Sequence, residues 1–526
     1  MKKFLSLLLV LLIAVAALPG LAAVRAQEQK TFVIGLSENS TSLDPARGYD
    51  SETSIIHAAT YETLVTFPPD SVDQIIPGLA TSWTISDDGL TYTFTLAEGR
   101  KFASGNELTA DDVVFSYNRL INVKGNPSSV AATIDSVTAS DAKTVVIKLK
   151  KNDPAILAEL AFSGFSVSDS KVVKEHGGTD AADADKTDTA EAWLNNNSVG
   201  TGPYVLTKWE KDTEIVLAKN PNYNGSMAPG FDQIIIRNIP EASAQKAALE
   251  AGDIDLAFDL SADQMASLKS NPDLKVYEGI GPYVFFLLMN QDPAIGGPMS
   301  NPKVQQAVRL AIDYAGIAKL VGGASATPGS LIPLGFATAF TTDQAIKQDV
   351  EAAKALIAES GLTDITTDLN YWDTTYSGVN IGVVAQKIQA DLKEIGITVN
   401  LTGGDIQVKL ASYRDGKDPF GLWFWGPDFI DPLNYAEFLP AMKVGTRANW
   451  TNDNSDKEIQ DLRDAVLTET DAAKRADLFA KIQAYWQKAG PFAPLLQSPT
   501  QIGYRADLKG FAYNYQWAIN PATFSR

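Results

Sequence analysis

The fold class of this chain is decided by the stretch VAQKIQADLKEIGITVNL, residues 384–401. Val384, Ile388 and Leu392 recur every four positions, which predicts a helix with one apolar face. Gly396 is the type of residue that commonly ends a helix, and the apolar run 397–401 behind it predicts a short strand. A helix that leads directly into a buried strand indicates an α/β fold.

The same succession of helix and strand recurs elsewhere in the second half of the chain. A predicted helix over 241–251 ends at Gly252 and leads into a predicted strand over 254–258. Asn301 and Pro302 begin a further helix, because asparagine caps helices and proline suits their first turn. Helices that alternate with short apolar strands predict α/β layers in which ligands bind at strand ends.

Two helix starts are predicted from capping boxes, in which a Ser or Thr and an acid three residues later cap each other's backbone. Thr109 with Asp112 marks the first box, and Ser455 with Glu458 marks the second. We therefore expect helices to begin directly after Thr109 and after Ser455.

An acidic stretch lies at residues 177–197. Its aspartates are Asp180, Asp183, Asp185 and Asp188. Their spacing matches no calcium-binding loop, so we expect a solvated surface loop and not an ion site.

The composition is that of a globular protein of more than one domain. Of the 526 residues, 45% are hydrophobic and 20% are charged. This length exceeds what one hydrophobic core usually serves, so two or three domains are expected. The formal net charge of −19 repels phosphates and anionic lipid head groups, so no nucleic-acid partner is expected.

Residues 1–26 have the pattern of a signal peptide: lysines at positions 2 and 3, an apolar run over 4–18, and then small residues. The apolar run is shorter than the roughly 20 residues that span a membrane. The chain has no cysteine, which excludes disulfides and the lipid-anchored cysteine of exported lipoproteins. We expect cleavage after Ala26 or Ala23 and a mature protein free in the periplasm.

Nucleophilic catalysis has few candidate residues here. The chain has no cysteine, its two histidines are His57 and His176, and no Gly-x-Ser-x-Gly elbow occurs. His57 falls in a predicted helix over 54–60, where a packed or solvated histidine is more common than a catalytic base. We expect no enzyme and no metal or cofactor site, although a carboxylate pair for glycoside cleavage stays open because sequence shows no distances.

Seven short stretches occur in a characteristic order along nearly the whole mature chain. They are SLDP at 42–45, YETL at 61–64, PGLATSW at 77–83, LTADDV at 108–113, GTGPY at 200–204, NPNY at 220–223 and the helical segment 304–313. In this combination the chain resembles the extracellular solute-binding proteins of family 5, which include the dipeptide- and oligopeptide-binding components of ABC importers.

The resemblance implies an α/β fold of the type II periplasmic-binding-protein kind, with two lobes, a hinge and an extra inserted domain. It implies a first lobe over 27–57, 195–283 and 490–526, an inserted domain over 58–194 and a second lobe over 284–489. The chain would cross between the lobes near Tyr283 and near Pro491, and these crossings would form the hinge.

One segment combines aromatic residues with two carboxylates: GLWFWGPDFIDP, residues 421–432. From the residues alone, Asp428 and Asp431 are both expected to order a surface turn. The resemblance changes this for Asp428, because in peptide-binding relatives the matching acid holds the α-ammonium group of the ligand. Closure over a cation removes its hydration, and a nearby anion offsets that cost.

Further candidate contacts are mostly aromatic. Trp423 and Trp425 share one face if their segment is a strand, and both core packing and cleft lining suit them. Gly426 would let the backbone approach a ligand closely. The resemblance adds Trp372, on a loop that borders the cleft, Tyr49, on the matching loop of the first lobe, and Tyr283, at the crossing between the lobes. Aromatic walls suit varied ligands because large flat faces bury area without demanding one shape.

The function implied by the resemblance is capture of a small solute, most readily a di- or oligopeptide, and its delivery to an ABC permease in the membrane. We expect closure of the lobes around the ligand and a monomeric protein. An oligosaccharide is an alternative ligand, because tryptophans suit stacking on sugar rings. A nickel complex is disfavoured by the scarcity of histidine and cysteine, and a secreted hydrolase is the remote alternative.

Overall fold

Helices and strands alternate along the chain as the apolar patterns predict. The structure, a computed structural model, describes residues 29–37, 40–376 and 378–526. The predicted signal peptide lies outside the described residues. The strands are β1 (Thr31–Leu36), β2 (Val65–Thr66), β3 (Ile76–Pro77), β4 (Ala80–Ile85), β5 (Thr91–Leu96), β6 (Ile134–Asp141), β7 (Thr144–Leu149), β8 (Tyr204–Glu210), β9 (Glu214–Lys219), β10 (Gln233–Asn238), β11 (Leu256–Ala257), β12 (Leu274–Met289), β13 (Thr366–Trp372), β14 (Thr375–Tyr376), β15 (Val379–Asn380), β16 (Thr398–Gly404), β17 (Phe420–Trp425) and β18 (Phe492–Arg505).

The helices are mostly short, and several connections contain a single 3-10 turn. The α-helices are α1 (Ser51–Thr60), α2 (Ala110–Val123), α3 (Ile156–Leu160), α4 (Ser170–Glu175), α5 (Ala184–Thr187), α6 (Glu191–Leu194), α7 (Ala242–Ala251), α8 (Ala262–Leu268), α9 (Pro293–Gly296), α10 (Pro302–Ala311), α11 (Tyr314–Val321), α12 (Val350–Ser360), α13 (Ile381–Glu394), α14 (Ile406–Arg414), α15 (Lys443–Arg447), α16 (Lys457–Val466) and α17 (Ala472–Trp486). The 3-10 helices are Asn126–Ala131, Ser163–Phe165, Gly297–Ser300, Thr342–Gln344, Pro432–Phe438 and Pro521–Thr523.

A ten-stranded mixed sheet forms the frame, in the order β16-β13-β17-β12-β18-β11-β1-β10-β9-β8. Near one end β13 lies parallel to both β16 and β17, and towards the other end β1 lies parallel to both β10 and β11. The two parallel groups are joined by β12 and β18, which pair antiparallel. A separate four-stranded sheet, β4-β5-β7-β6, belongs to the segment between β1 and β8.

The pairing of β12 with β18 is interrupted in the middle of both strands. It runs regularly to Ile280, opposite Pro499, and resumes at Val284, opposite Gln497. The fully buried Gln497 side chain fills the gap: its amide N–H donates to the Gly281 carbonyl at 2.8 Å, and its carbonyl accepts from the Leu334 N–H at 2.8 Å. One buried amide therefore satisfies the Gly281 carbonyl that the sheet leaves unpaired, and it ties the Leu334 backbone to this point.

The helix predicted from the apolar stripe is α13. Val384, Ile388 and Leu392 are at most 1% exposed and belong to the core between this helix and the sheet. Gly396 follows in the left-handed region with φ +82°, which favours glycine, and β16 begins two residues later. The apolar periodicity thus predicted both elements correctly.

The two predicted capping boxes have different outcomes. At α2 the Asp112 carboxylate accepts from the Thr109 backbone N–H at 2.9 Å, which confirms the first box. The second box is wrong, because α16 starts one residue later than expected, behind Asp456. The Ser455 hydroxyl oxygen instead accepts from the Gln460 side-chain amide at 3.0 Å.

The expectation of a solvated acidic loop holds for Asp183 and Asp185 but is wrong for Asp188. Asp183 and Asp185 are exposed, whereas the Asp188 side chain is fully buried against Arg119, with Nε to Oδ2 at 2.7 Å. Arg119 also binds both carboxylate oxygens of the buried Asp44, each at 2.6 Å. A buried guanidinium between two carboxylates ties this loop to α2 and to the segment after β1.

Candidate functional site

The segment 421–432, which carries Asp428, lies where two parallel strands of the sheet end. β17 ends at Trp425 and β13 ends at Trp372, and the two strands pair in parallel. The carboxyl ends of parallel strands lie at the same edge of a sheet, where α/β proteins bind ligands. Tyr283 joins them from β12, because its neighbour Val284 is paired with Trp425.

Four aromatic side chains form a cluster at this edge, which we call the aromatic cluster: Tyr283, Trp372, Tyr376 and Phe424. Tyr376 stacks on Phe424 with ring centroids 4.4 Å apart, and Tyr283 meets both rings edge-on. Trp372 packs against the same two rings. Tyr376 and Phe424 were missed by the sequence analysis, although Phe424 alternates with two tryptophans and so had to face the opposite side of the strand.

Gly426 is required by the close approach of Tyr283. A Cβ atom at this position would lie 2.5 Å from the Tyr283 ring, which real Cβ contacts do not reach. We expected glycine here to make room for a ligand, but in this structure it makes room for the Tyr283 ring. The Tyr283 hydroxyl, in turn, shares a hydrogen bond of 2.5 Å with the hydroxyl of Ser51 at the start of α1. Tyr283 thus connects the aromatic cluster with the N-terminal part of the chain.

Asp428 lies close to two tyrosine hydroxyls, those of Tyr49 and Tyr435. Tyr49 and Tyr435 have buried hydroxyl groups that make no hydrogen bond of good geometry within the described part of the chain. Burial raises the pKa of both hydroxyls, and the nearby Asp428 carboxylate raises each pKa further. The half-buried Asp428 therefore lies close to two buried phenol groups, and the Tyr49 hydroxyl also interacts with Ser129.

Trp423 and Trp425 lie on the other face of β17, as their spacing predicts. Trp423 is 3% exposed, stacks on Tyr413 at 4.5 Å and donates its indole N–H to Asp418 at 2.9 Å, so its ring belongs to the core. Trp425 is half-buried and donates to Asn434 at 3.0 Å. Trp425 shares this Asn434 oxygen with the Asp428 backbone N–H. The structure therefore brings together all the candidates except Trp423: they are Tyr49, Tyr283, Trp372, Trp425, Gly426 and Asp428.

One known protein family matches most of this chain. The model of a family described as "Bacterial extracellular solute-binding proteins, family 5 Middle" matches residues 74–445. The chain belongs to the family 5 extracellular solute-binding proteins. The resemblance inferred from the ordered motifs is thereby confirmed.

Relatives of this solute-binding protein match it over almost its full length. It is 29% identical over 530 residues to the "Probable D,D-dipeptide-binding periplasmic protein DdpA" of Escherichia coli (strain K12), covering 98% of this chain and 97% of that protein. It is also 29% identical over 525 residues to "Di/tripeptide-binding protein 2" of Pseudomonas aeruginosa (strain UCBPP-PA14), covering 93% of each.

The fold is shared with solved structures. The dipeptide-binding protein from Pseudoalteromonas sp. SM9913, in complex with Met-Leu, matches with a TM-score of 0.79 at 22% identity, over 94% of this chain and all of that chain. The predicted fold class, a type II periplasmic-binding-protein fold with two lobes, is confirmed. Among the described residues, no helix has the length and apolar character needed to cross a membrane.

His57 and Asp431 of the solute-binding protein are held by contacts within the protein. His57 is 2% exposed, its ring nitrogen Nε2 lies 3.0 Å from the Leu43 carbonyl, and burial lowers its pKa to about 4. It is packed, as predicted, and neutral at pH 7. Asp431 pairs with Arg475 and accepts from the Leu433 N–H at 2.8 Å, so it orders the turn after Asp428. No cluster of metal-binding side chains occurs among the described residues.

Glu159 is a buried acid on α3 whose neighbours are also acids. It is 6% exposed, and one of its carboxyl oxygens has no partner within the described residues. Burial raises the pKa of Glu159 well above its ordinary value, and the charges of Asp153, Asp431 and Glu437 raise it further. The folded protein therefore retains the Glu159 proton at a pH where the unfolded chain has lost it.

Replacing Glu159 by glutamine should stabilise the protein at neutral and alkaline pH. A raised folded pKa contributes stability below the ordinary pKa of the group, and this contribution is lost as the pH rises through the folded value. We expect Glu159→Gln to increase the free energy of unfolding at pH 8 by about 1–3 kcal/mol, and by less at pH 5. Urea unfolding at the two pH values measures this, with the exposed Glu175→Gln as the control. An equal effect of Glu159→Gln at both pH values would contradict the assignment.

Proposed function

We propose that this solute-binding protein captures peptides with a free amino terminus in the cleft between its lobes. The observation that carries this proposal is the half-buried Asp428 carboxylate beside the hydroxyls of Tyr49 and Tyr435, which make no hydrogen bond of good geometry within the described residues. A primary ammonium group carries one positive charge and three N–H donors, which suit one carboxylate and two phenol oxygens. The relatives named for D,D-dipeptides and for di- and tripeptides support the same class of ligand.

The aromatic cluster would bind the remainder of the peptide. Tyr283, Trp372, Tyr376 and Phe424 offer flat apolar faces at the same sheet edge as Asp428. Such faces bury peptide side chains of different shapes without a fixed hydrogen-bond pattern. The proposed site therefore recognises the common amino terminus with charge and tolerates variation beyond it.

Closure would take place at the interrupted pairs of β12 and β18. The first proposed lobe comprises residues 27–57, 195–283 and 490–526. The second comprises residues 284–489, and the inserted domain comprises residues 58–194. The interruption at Tyr283 lies at the boundary between the two lobes, and Gln497 keeps the unpaired backbone satisfied there. A ligand shifts the open-to-closed equilibrium by the difference between its affinities for the two states.

The proposed cellular role is that of the binding component of an ABC importer. The signal-peptide pattern of residues 1–26 supports export, and the family is one of extracellular proteins. We propose a monomer that acts in the periplasm and presents its closed form to a membrane permease.

Thermal unfolding with matched ligands tests the proposed function. Trialanine at 100 times its Kd should stabilise the protein by about 2.7 kcal/mol, because it binds the native state only. N-acetyl-trialanine, maltotriose and nickel chloride at the same concentration are the comparison ligands, and each should produce a much smaller shift. Small-angle scattering with trialanine should show a smaller radius of gyration. A shift with maltotriose and none with any peptide would reject the peptide proposal.

A further inference from the structure

A cavity of about 130 Å³ lies beside α1, away from the residues proposed to bind the peptide. One wall is formed by Ser54, His57 and Ala58, which share one face of α1 because they are three or four positions apart. Other walls come from residues 161–166, after α3, and from residues 516–520, near the C-terminal end of the chain. Neither Asp428 nor any member of the aromatic cluster lines this cavity.

The lining of the cavity is largely apolar and carries a few hydroxyl groups. The rings of Tyr61 and Trp517 and the side chain of Met227 supply apolar surface. The hydroxyl oxygens of Ser54 and Ser163 lie 3.5 Å from each other. Apolar walls with a small number of polar groups are typical of sites that bind small molecules.

The charged and titratable residues of the lining favour an uncharged guest. Glu62 contributes a carboxylate, but its charge is paired with the guanidinium of Arg100. His57 is neutral, and its Nε2 lies 3.0 Å from the Leu43 carbonyl, so Nε2 carries the hydrogen and Nδ1 is an acceptor. An ion in this cavity would lose its hydration without gaining an unpaired opposite charge.

Three residues of the lining have a buried polar atom without a hydrogen-bond partner among the described residues. These atoms are Nδ1 of His57, Oε1 of Gln516 and Nε1 of Trp517. The first two are acceptors, and the indole N–H is a donor. Since buried polar atoms are nearly always hydrogen-bonded, three such atoms around one cavity indicate a guest that both donates and accepts.

Trp517 is held against the cavity by a strained turn. Ala518 has a φ of +61°, in the left-handed region that disfavours residues with a Cβ atom. The Ile519 N–H donates to the Trp517 carbonyl at 2.7 Å, and the Asn514 N–H donates to the Ala518 carbonyl at 2.9 Å. Backbone strain of this kind is concentrated at functional sites.

We infer that this cavity binds a small aromatic ring that carries a hydroxyl group. Its volume is near that of an apolar cavity of about 150 Å³ that binds benzene in another protein. The ring packs against Tyr61 and Trp517, and its hydroxyl group supplies the donor and the acceptor that the lining lacks. Two sources have this chemistry, a free phenol and the side chain of a tyrosine in a bound peptide. Only the second source rests on the proposed function.

Fluorine NMR titration with 4-fluorophenol and fluorobenzene tests the inference on the unmodified protein. The two probes share one ring and differ in the hydroxyl group. We expect 4-fluorophenol to bind at least about tenfold more tightly, because fluorobenzene leaves the buried polar atoms unpaired. A crystal structure with 4-fluorophenol should show the ring in the cavity beside His57. Equal affinity of the two probes, no binding of 4-fluorophenol, or a ring bound elsewhere would overturn the inference.

Filling the cavity provides a second test. Ala161 is 4% exposed and lines the cavity, so the larger side chain of Ala161→Leu would occupy part of its volume. We expect this variant to bind 4-fluorophenol at least about tenfold more weakly and trialanine as before. Ala411→Leu, at an exposed position of α14, is the matched control and should bind both ligands unchanged. If Ala161→Leu fails to fold, the titration and crystal structure of the unmodified protein decide the question.

Competition between peptides and 4-fluorophenol distinguishes the two sources of the ring. The competitors are Tyr-Ala-Ala, Ala-Tyr-Ala, Ala-Ala-Tyr and trialanine. Displacement of 4-fluorophenol by a tyrosine peptide but not by trialanine would assign the cavity to a peptide side chain. Binding of 4-fluorophenol that no peptide displaces would assign it to a free phenol. Failure of every peptide to bind would reject the proposed function and leave the phenol site standing.

Discussion

Replacing Asp428 by asparagine is expected to weaken the binding of peptides with a free amino terminus by more than about 100-fold. The variant keeps the size of the side chain but removes the negative charge opposite the ligand's ammonium group. Loss of one partner of a buried ion pair costs about 3–5 kcal/mol, because the other charge remains desolvated and unpaired. Isothermal titration of trialanine against both proteins measures the difference.

N-acetyl-trialanine separates a loss of charge recognition from a general loss of the site. It has no ammonium group, so its weak binding should be nearly the same for Asp428→Asn and the unmodified protein. Asp415→Asn is the matched control, because Asp415 is exposed and pairs with Lys417 on the surface. Unchanged affinity of Asp428→Asn for trialanine would show that another group holds the amino terminus.

Replacing Arg119 by methionine is expected to lower the free energy of unfolding by about 3–5 kcal/mol at pH 7. Methionine fills much of the same volume but removes the closest cation from the Asp44 and Asp188 carboxylates, whose side chains are fully buried. The longer contacts to Arg47 remain, at 3.7 Å from Asp44 and 3.5 Å from Asp188. Urea unfolding followed by tryptophan fluorescence measures the effect. Lys457→Met removes an exposed pair with Asp461 and should change stability by less than about 1 kcal/mol.

The effect of Arg119→Met should also depend on pH. Burial by itself would raise the pKa of Asp188, but the hydrogen bonds and charge of Arg119 bring it below its ordinary value. A lowered folded pKa contributes stability above the ordinary pKa, and this contribution is lost as the pH falls through the folded value. The difference between variant and unmodified protein should therefore shrink at pH values below about 4. A difference that stays constant down to pH 2 would contradict an ionic role for Arg119.

Local sequence patterns predicted elements correctly where the interactions that form them are local. The four-residue spacing of Val384, Ile388 and Leu392 reproduces α13, because its apolar face and its terminal glycine are set within one segment. The Thr109 capping box formed for the same reason. At Ser455 a side-chain amide five residues along the chain satisfied the hydroxyl instead, and a pattern of four residues carries no information about that competitor.

Asp188 shows the limit of reading charge from sequence. An acidic stretch is usually solvated, and Asp183 and Asp185 are indeed exposed. Asp188 is buried because it pairs with Arg119, which is 69 positions away in the sequence. Burial of a carboxylate becomes favourable only when a cation with suitable geometry is already in place, and that partner is supplied by folding.

The sequence by itself determined the α/β class, the order of the family motifs and the segment 421–432 that carries Asp428. Only the tertiary structure decided which side chains meet Asp428 and the aromatic cluster, because Tyr49, Ser51 and Tyr376 lie far from Asp428 along the chain. The period of two along β17 predicted that its tryptophans share a face, yet not which face is the core. That choice depends on the layer that packs on each side of the sheet, and here Tyr413 and Phe438 cover the tryptophan face while Tyr283 and Tyr376 cover Phe424.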